Sequence, residues 1–191
     1  MKNAIKGLIF LPSMVYNRVI FLIHGVKYGK RLKTIGRIGI YRGGKLHVGD
    51  YVTINSNRYA NPLGDKMVFE IKRGAEVFIG NHTGLSGSTI KADKCVKIDE
   101  YVNIGAGCVI MDTDAHSLNL EERRNERSIE GQAISKPIHI KSGAFVGTRS
   151  IILKGVTIGE GSIVGAGSVV SKSIPDGEIW AGNPAKFIKK V

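Results

Sequence analysis

The sequence predicts an all-β protein built as a parallel β-helix, in which short strands wind as triangular coils around a narrow core. The first observation is that an aliphatic residue recurs at every sixth position from Ile140 to Val170. No α-helix has a period of six, whereas a short strand followed by a turn and then restarted does. Neighbouring coils of such strands bury a continuous core that no single six-residue unit could bury.

Two further observations support this fold. Glycine follows the aliphatic residue at Gly147, Gly159 and Gly165, and the 25 glycines of the chain show no collagen-like period, so they are expected in turns. Taken in threes, the aliphatic positions define coils of about eighteen residues, and residues 79, 98, 140 and 158 should stack along one face. These coils are 79/85/92, 98/104/110, 140/146/152 and 158/164/170.

Residues 1–34 precede the repeat and form a basic amphipathic N-terminal segment. Apolar residues lie there at helical spacing, at Val15, Val19, Leu22 and Val26. Ser13, which follows Pro12, is expected to cap this helix. Polar residues interrupt the stretch and no small-residue cleavage site is evident, so neither a transmembrane span nor a signal peptide is expected. The segment either packs on its own domain or a neighbouring subunit, or anchors the protein on an anionic membrane surface.

The charge of the chain is concentrated at its N-terminus. The net charge is +12, and ten cationic residues precede the first acidic residue, Asp50. The remaining 142 residues carry 18 basic and 16 acidic groups, so a basic arm precedes a near-neutral body. This arm has few interleaved aromatic residues and no nucleic-acid-binding motif, and nucleic acid is therefore not an expected partner.

The chain has only two cysteines, Cys95 and Cys108. Both fall at or beside core-type positions of the repeat, which predicts buried small hydrophobic side chains. There is no disulfide framework and no Cys-x-x-Cys motif, as is typical of proteins in a reducing compartment. We therefore expect a cytoplasmic protein, with peripheral contact to the inner face of the membrane if the arm is an anchor.

The β-helix is predicted over residues 35–175, with two interruptions. The shorter insertion lies near residues 58–68, and the longer one near 111–137. Residues 121–130 hold seven charged side chains, which cannot enter an apolar core, so the longer loop must be extruded from the prism. Because a regular scaffold positions its loops, functional residues are expected in this one. It opens with Asp112-Thr113-Asp114-Ala115-His116-Ser117.

Residues 176–191 follow the repeat. Asn183 and Pro184 have the character of a helix N-cap and a first helical residue. We therefore predict a C-terminal strand followed by a short helix over Ala185–Lys190, which would close the open end of the prism as terminal caps do in repeat proteins.

The repeat, the extruded loop with His116 and the C-terminal stretch Trp-Ala-Gly-Asn-Pro-Ala-Lys resemble the left-handed β-helix (hexapeptide-repeat) acyltransferases. Within them the chain is most similar to the maltose/galactoside and polysaccharide O-acetyltransferase branch, over about residues 35–191. The resemblance implies left-handed coils, a homotrimer, and direct transfer from acetyl-CoA without a covalent acyl-enzyme. No metal is expected.

Acetyl transfer to an alcohol needs a base for the hydroxyl proton, donors for the developing oxyanion, and both substrates held in line. A histidine suits the role of the base because imidazole titrates near neutrality. His116 occupies the loop position where this family keeps its catalytic histidine. Asp112 or Asp114 would orient its ring, unless a backbone carbonyl does so, and Asp112 is equally well explained as a turn residue.

The resemblance also assigns residues to the two substrates. Acetyl-CoA would lie along small residues at two turns, with basic residues near the nucleotide phosphates. These positions are Gly147, Thr148, Gly165, Ala166, Ser171, Lys172, Lys186 and Lys189. Lysines stand where the family often has an arginine pair, so the forked geometry of arginine is lost. The acceptor sugar would contact His82, Ser86 and Asp93, although Asn81 and His82 are alternatively residues of a turn.

The predicted function is therefore acetyl-CoA-dependent O-acetylation of a sugar hydroxyl in surface-polysaccharide biosynthesis. The basic apolar arm favours a polysaccharide precursor at the membrane over a free sugar. Serine and amino-sugar acceptors stay open. A zinc enzyme of the γ-carbonic-anhydrase kind shares the prism but needs three converging histidines. His82 and His116 have a suitable spacing, whereas the next histidine, His139, lies across the extruded loop.

Overall fold

Three parallel β-sheets form the walls of a triangular prism in the computed structural model of this chain. The structure describes residues 2–41, 43–57, 61, 63–124 and 133–191, and for residues 2–10 the backbone alone. Six coils each cross sheets A, B and C in that order, so every strand of a wall pairs with the strand one coil away. The fold is the predicted left-handed β-helix.

Sheet A consists of β1 (Lys27–Tyr28), β4 (Lys45–Val48), β7 (Glu76–Ile79), β10 (Cys95–Ile98), β13 (Ile138–Ile140) and β16 (Thr157–Ile158). Sheet B consists of β2 (Lys33–Ile35), β5 (Thr53–Asn55), β8 (Gly84–Ser86), β11 (Asn103–Ile104), β14 (Phe145–Val146), β17 (Ile163–Val164), β19 (Glu178–Gly182) and β20 (Ala185–Lys190). Sheet C consists of β3 (Gly39–Tyr41), β6 (Val68–Ile71), β9 (Thr89–Ala92), β12 (Val109–Met111), β15 (Ile151–Ile152) and β18 (Val169–Val170). Two helices are described, α1 (Lys2–Ile23) and α2 (Leu120–Arg124).

The six-residue repeat sets the register of the later coils, as predicted. Ile140 pairs with Ile158, Val146 with Val164, and Ile152 with Val170, and all six side chains are fully buried. One earlier assignment is wrong. The residue that pairs with Ile110 is Ile90, and Ala92 lies two residues further along the same strand. Both are buried, because a four-residue strand turns two alternate side chains into the core.

The β-helix begins earlier than the predicted residue 35. Strand β1 already pairs with β4, in the register Lys27 with His47, and β2 pairs with β5. The sequence pattern misses this first coil because the residues that pair with Val48 and Ile54 are Tyr28 and Thr34, which are not aliphatic.

Helix α1 covers the N-terminal end of the prism. It starts at Lys2, before the predicted cap at Ser13, and continues through Pro12, which removes one backbone hydrogen bond without ending the helix. The Asn17 side chain is only 1% exposed; it donates to the Gly36 carbonyl at 2.8 Å and accepts from the Ile38 N–H at 3.0 Å. Within the described part of the chain, no helix combines the length and apolar character that crossing a membrane requires.

The predicted C-terminal helix over Ala185–Lys190 is wrong. The segment is strand β20, which pairs antiparallel with β19, while β19 extends sheet B beyond β17. The hairpin forms because β17 leaves an unpaired strand edge, which β19 covers. The two residues after Gly182 form the turn between β19 and β20. Trp180 of β19 packs against the end of the core, so a hairpin performs the closing role expected of the helix.

Candidate active site

The three edges of the prism carry different chemistry. Edge AB joins sheets A and B within a coil, edge BC joins sheets B and C, and edge CA is where the chain passes to the next coil. The extruded loop leaves edge CA after Met111 and returns at Ile138, between the fourth and fifth coils. This is the predicted place of the interruption, and part of the loop, residues 125–132, lies outside the described residues.

The loop is closed at its base by a short neck of backbone hydrogen bonds. Thr113 forms an antiparallel bridge with Ser135, and the Lys136 N–H donates to the Asp112 carbonyl at 2.8 Å. His116 lies just outside this neck and is exposed. It follows Ala115, which adopts a left-handed conformation with φ of 63° and turns the chain away from the prism.

Asp112 is a structural residue of edge CA. Its side chain is completely buried, and its two oxygens accept three backbone hydrogen bonds, from the N–H groups of Asp93 at 2.7 Å and of Lys94 and Cys95 at 2.8 Å. Burial raises the pKa of Asp112, although the three N–H donors counteract it. With both oxygens engaged, the carboxylate fixes the turn that carries Asp93, which favours the alternative interpretation as a turn residue.

Asp93 and Asp114 lie at the same edge and each keeps one buried oxygen free of hydrogen bonds from the described residues. Asp114 Oδ1 is bound by the Lys154 ammonium, while its Oδ2 has no partner there. Asp93 Oδ2 lies 3.9 Å from Lys72 Nζ, and its Oδ1 likewise has no partner. Asp112, Asp114 and His116 thus stand in one segment at edge CA, and Asp93 lies one coil away, in contact with Asp112. Lys154 is a member of this group that the sequence pattern does not single out.

His82 and Ser86 lie elsewhere, at edge AB and on sheet B. The His82 ring is stacked between the rings of Tyr51 and Tyr101, with centroids 4.8 Å apart on each side. Ser86 Oγ accepts a long hydrogen bond, 3.4 Å, from the Asn55 amide on the same outer face. Within one chain these two predicted acceptor contacts therefore lie at another edge than the extruded loop, whereas Asp93 lies at edge CA, where its N–H contacts Asp112.

The stack at edge AB is a feature that the sequence analysis missed. One residue of each of the six coils, and Gly177 just before β19, adopts a left-handed conformation there and stacks directly above its counterpart. The column comprises Arg31, Tyr51, His82, Tyr101, Gly143, Gly161 and Gly177, with φ between 54° and 70°. A left-handed conformation costs about 1–2 kcal/mol for a residue with a side chain. The signal was present in the sequence, since Tyr51, His82 and Tyr101 each stand three residues before a buried aliphatic residue of sheet B.

Four of the positions assigned to acetyl-CoA lie at edge BC. A Cβ added to Gly147 would stand 2.5 Å from the Ala166 nitrogen, and one added to Gly165 would stand 2.7 Å from Ala181 Cβ. The close stacking of coils therefore already requires glycine at these two positions. Thr148 is half-buried and Ala166 is exposed beside them, so the edge itself presents backbone and small side chains.

The other four positions lie further along the prism and are all exposed. Ser171 and Lys172 follow β18 at the last turn of edge CA. Lys186 and Lys189 stand on β20, opposite Ala181 and Ile179. Edges BC and CA both border sheet C, so the glycine turns and His116 flank the same wall of the prism from its two sides.

In the fourth to sixth coils the outer face of sheet C is apolar, whereas in the second and third coils it carries the ion pair between Glu70 and Lys91. Its outward side chains include Val109, Met111, Ile151, Leu153 and Val169, all partly exposed. By contrast, the outward column of sheet A is mainly polar and includes His47, Lys97, His139 and Thr157. An exposed apolar wall of this kind is typical of a contact surface.

The histidines of the rival zinc enzyme do not converge within one chain. His82 lies at edge AB, His116 outside edge CA, and His139 on sheet A, where its Nε2 is 2.7 Å from Asp99 Oδ2. Across the residues that the structure describes, no three His, Cys, Asp or Glu side chains gather as a metal site.

The chain is similar to known acetyltransferases. The family model of the bacterial transferase hexapeptide, with six repeats, matches residues 137–172. A putative acetyltransferase of Staphylococcus aureus is 43% identical over a match covering 50% of this chain and 55% of the relative. The chain spans about half the length of the curated relatives it matches.

Two solved structures extend this similarity over more of the chain. The polySia-specific acetyltransferase NeuO is 30% identical, with a TM-score of 0.55 over 86% of this chain and 76% of that protein. A hexapeptide-repeat acetyltransferase of Vibrio cholerae, solved with acetyl coenzyme A, is 27% identical, with a TM-score of 0.55 over 64% of each chain.

Proposed function

The chain belongs to the hexapeptide-repeat acyltransferases, and we propose that it transfers an acetyl group from acetyl-CoA to a sugar hydroxyl. The observation that carries this proposal is the arrangement at edge CA. There His116 is exposed just outside the neck of the extruded loop, and two carboxylates of the same edge, Asp93 and Asp114, each keep a buried oxygen without a partner among the described residues.

In this proposal His116 is the general base that accepts the proton of the attacking hydroxyl. Asp93 Oδ1 is a free acceptor for a hydroxyl of the sugar, and Asp112 holds the turn that presents it. Asp114 is tied to Lys154 and steadies the neck, so it positions the loop without contacting the reacting atoms. Cys95 and Cys108 suit no nucleophilic role, because burial raises the pKa of both thiols.

The residues assigned to acetyl-CoA fit a long anionic cosubstrate. Exposed Lys172, Lys186 and Lys189 can pair with its phosphates, and half-buried Thr148 and exposed Ala166 at edge BC present a small side chain and backbone to an extended arm. When bound, acetyl-CoA supplies the activated acyl group. The solved Vibrio cholerae structure holds acetyl coenzyme A, which supports the choice of cosubstrate.

We further propose that the working unit is a homotrimer packed through sheet C. The outer face of this sheet, apolar in the fourth to sixth coils, favours burial, and edges BC and CA border it on either side. In a ring of three, edge CA of one copy would meet edge BC of the next. His116 and the glycine turns, which stand at different edges of one chain, would then face each other across subunits.

The favoured acceptor is a surface-polysaccharide precursor at the inner face of the membrane, with serine and amino sugars as the alternative acceptors. NeuO, the 30% identical relative, is named for a polysaccharide acceptor, which supports this choice. The basic N-terminal arm supports it independently, because anionic lipids attract clustered Lys and Arg.

Replacement of His116 tests the catalytic proposal. We expect His116→Ala to lose roughly 10²–10⁴-fold in turnover, because the base is removed, while affinity for CoA stays unchanged. Release of free thiol from acetyl-CoA with candidate acceptors measures turnover, and calorimetric titration measures CoA binding. Leu118→Ala is the matched control, since Leu118 is an exposed residue of the same loop, at 71%. Full activity of the His116 variant would refute the assignment.

The membrane proposal rests on the apolar face that α1 leaves exposed. Five apolar side chains lie along one side of the helix and are between 51% and 83% exposed, namely Leu11, Val15, Val19, Leu22 and Ile23. Six cations, between residues 18 and 37, lie within or directly after this helix in the sequence. An apolar face flanked by positive charge is the arrangement of a helix that lies on an anionic bilayer.

Charge placed on this face should abolish membrane association. We expect the double variant Val15→Glu, Leu22→Glu to stop co-sedimenting with phosphatidylcholine vesicles that contain phosphatidylglycerol, while the wild type sediments. Ile188→Glu is the matched control, because Ile188 is 57% exposed on β20 at the opposite end of the prism. A wild-type protein that stays in the supernatant would end the anchor hypothesis.

A further inference from the structure

The stacked column at edge AB forms an aromatic ladder, defined as Arg31, Tyr51, His82 and Tyr101. The Arg31 guanidinium lies 5.6 Å from the Tyr51 centroid, and the next two centroid separations are each 4.8 Å. The rings are nearly parallel, at 8° and 1°. The spacing of the ladder therefore equals the spacing of the coils, and each ring covers the face of its neighbour.

The ladder ends with one uncovered ring face. Below Tyr101 the next position of the column is Gly143, and after it comes Gly161. A Cβ built on Gly143 meets only Gly161 atoms at 3.8 Å, and one built on Gly161 meets nothing within 4 Å. No side chain of the column therefore covers the far face of Tyr101, and Tyr101 is 56% exposed. The glycines leave a lane that continues the ladder at the same spacing.

A polar groove runs along sheet B beside the ladder. It has a volume of about 520 Å³ and is lined by Tyr51 and His82 of the ladder, by Asn55, Ser86 and Asn103, and by Phe145. Hydroxyl and amide groups dominate its polar lining, and none of its described lining residues is a carboxylate, a lysine or an arginine. Such a groove suits an uncharged ligand part with many hydroxyl groups.

We propose that the ladder and this groove bind a run of sugar residues of an oligosaccharide or polysaccharide chain. A pyranose presents a face of weakly positive C–H groups, which the electron-rich face of Tyr101 attracts, and the hydroxyls at the ring's rim can bond to Asn103, Ser86 and Asn55. The inference rests on the proposed function for the class of ligand. It adds a second site for the acceptor chain, on the opposite side of the prism from His116.

The position of the ladder is compatible with this role. Edge AB is the one edge that does not border sheet C, so packing of copies through sheet C leaves the ladder at the outside of the assembly. The site would hold the polysaccharide away from the transfer centre, so that successive sugars reach the catalytic edge without full dissociation of the chain.

Two substitutions test the ladder without disturbing the core. Tyr101→Gly removes the terminal ring and keeps a residue that adopts φ of 57° without strain. Gly143→Tyr adds the next ring, which covers the open face of Tyr101. Gly161→Tyr is the matched control for the second variant, because it introduces the same side chain at the same left-handed conformation one coil further on.

The probes are the uncharged polysaccharides dextran, pullulan and mannan in native affinity gels, without acetyl-CoA. We expect at least one polymer to retard the wild type, Tyr101→Gly and Gly143→Tyr to weaken this binding about tenfold or more, and Gly161→Tyr to bind like the wild type. His116→Ala should bind fully, so failure of binding and failure of catalysis are separable. The proposal is overturned if no polymer retards the wild type, if both ladder variants bind normally, or if Tyr101→Gly dissociates the oligomer in sedimentation.

Discussion

The first four coils and the last two cross the three sheets in the same order, but they differ in strand length and in the residues at the left-handed turn. In the fifth and sixth coils the strands of all three sheets are two or three residues long, and the left-handed turn at edge AB is glycine. In the second to fourth coils, strands of sheets A and C reach four residues and often turn two side chains inward, as at Leu46 and Val48 or Phe69 and Ile71. Their left-handed turns carry Tyr51, His82 and Tyr101.

This difference separates the regular scaffold from the groups proposed to bind the acceptor and to act as the base. The family model matches residues 137–172, which are the two regular coils and little else. The distinctive groups lie before that segment, namely the aromatic ladder, Asp93 and the loop with His116 at the junction of the two halves. Regular repetition thus marks what any prism of this kind needs, whereas the departures from it mark what this chain adds.

Edge BC is where the two halves should behave alike. A Cβ on Gly105 of the fourth coil would stand 2.6 Å from the Thr148 nitrogen, and one on Gly147 of the fifth coil 2.5 Å from the Ala166 nitrogen. Because backbone on the next coil cannot withdraw, we expect Gly105→Ala and Gly147→Ala to destabilise the protein equally, by about 3 kcal/mol. Urea unfolding at a fixed protein concentration measures both.

Gly161 provides the control for that pair. Its Cβ would meet nothing within 4 Å, and only the φ of 62° opposes a side chain. Gly161→Ala should therefore cost about 1 kcal/mol. If Gly147→Ala were as mild as Gly161→Ala, coil stacking would not explain the glycine, and contact with a ligand would become its main reason.

Much of the fold could be predicted from the sequence, because hydrophobic side chains at a period of six are buried together when short strands stack as coils. Ile140 to Val170 therefore stack as expected. The first coil was not predicted because Tyr28 and Thr34, which pair with Val48 and Ile54, are not aliphatic. The C-terminal segment was assigned to the wrong structure because the local signal of Asn183 and Pro184 was outweighed by a non-local one, the open edge of sheet B.

The location of the candidate site could be predicted from the sequence, whereas its side-chain contacts could not. The break in the repeat locates His116, and Asp93 stands one coil before Asp112 at the same edge. Sequence spacing alone could not show that both oxygens of Asp112 accept hydrogen bonds from backbone groups. Nor could it show that Lys154 binds the carboxylate of Asp114, 40 residues earlier. Such contacts depend on which coils stack. The extruded loop interrupts the six-residue repeat, so counting along the sequence does not show which residues pair across it.

The junction between the two halves offers the mildest test of the comparison. Asp99 of the fourth coil binds His139 of the fifth, across the extruded loop, and also lies 3.1 Å from Lys97 Nζ. Burial acts to raise the pKa of Asp99, but the hydrogen bonds from Lys97 and His139 outweigh it, so the pKa lies below its ordinary value. A lowered pKa means that the folded state binds the proton less tightly than the unfolded chain does.

The carboxylate of Asp99 therefore contributes stability above the unfolded-chain value of about 3.9, and this contribution is lost as the pH falls through the folded-state pKa. We expect Asp99→Asn to cost about 1 kcal/mol or less at pH 6, and the difference from the wild type to shrink as the pH falls below about 4. His139→Gln should lower the free energy of unfolding by less than Asp99→Asn does, because Lys97 still contacts Asp99. Urea titrations at several pH values measure these differences, and a pH-independent gap between wild type and Asp99→Asn would show that this pair does not join the two halves electrostatically.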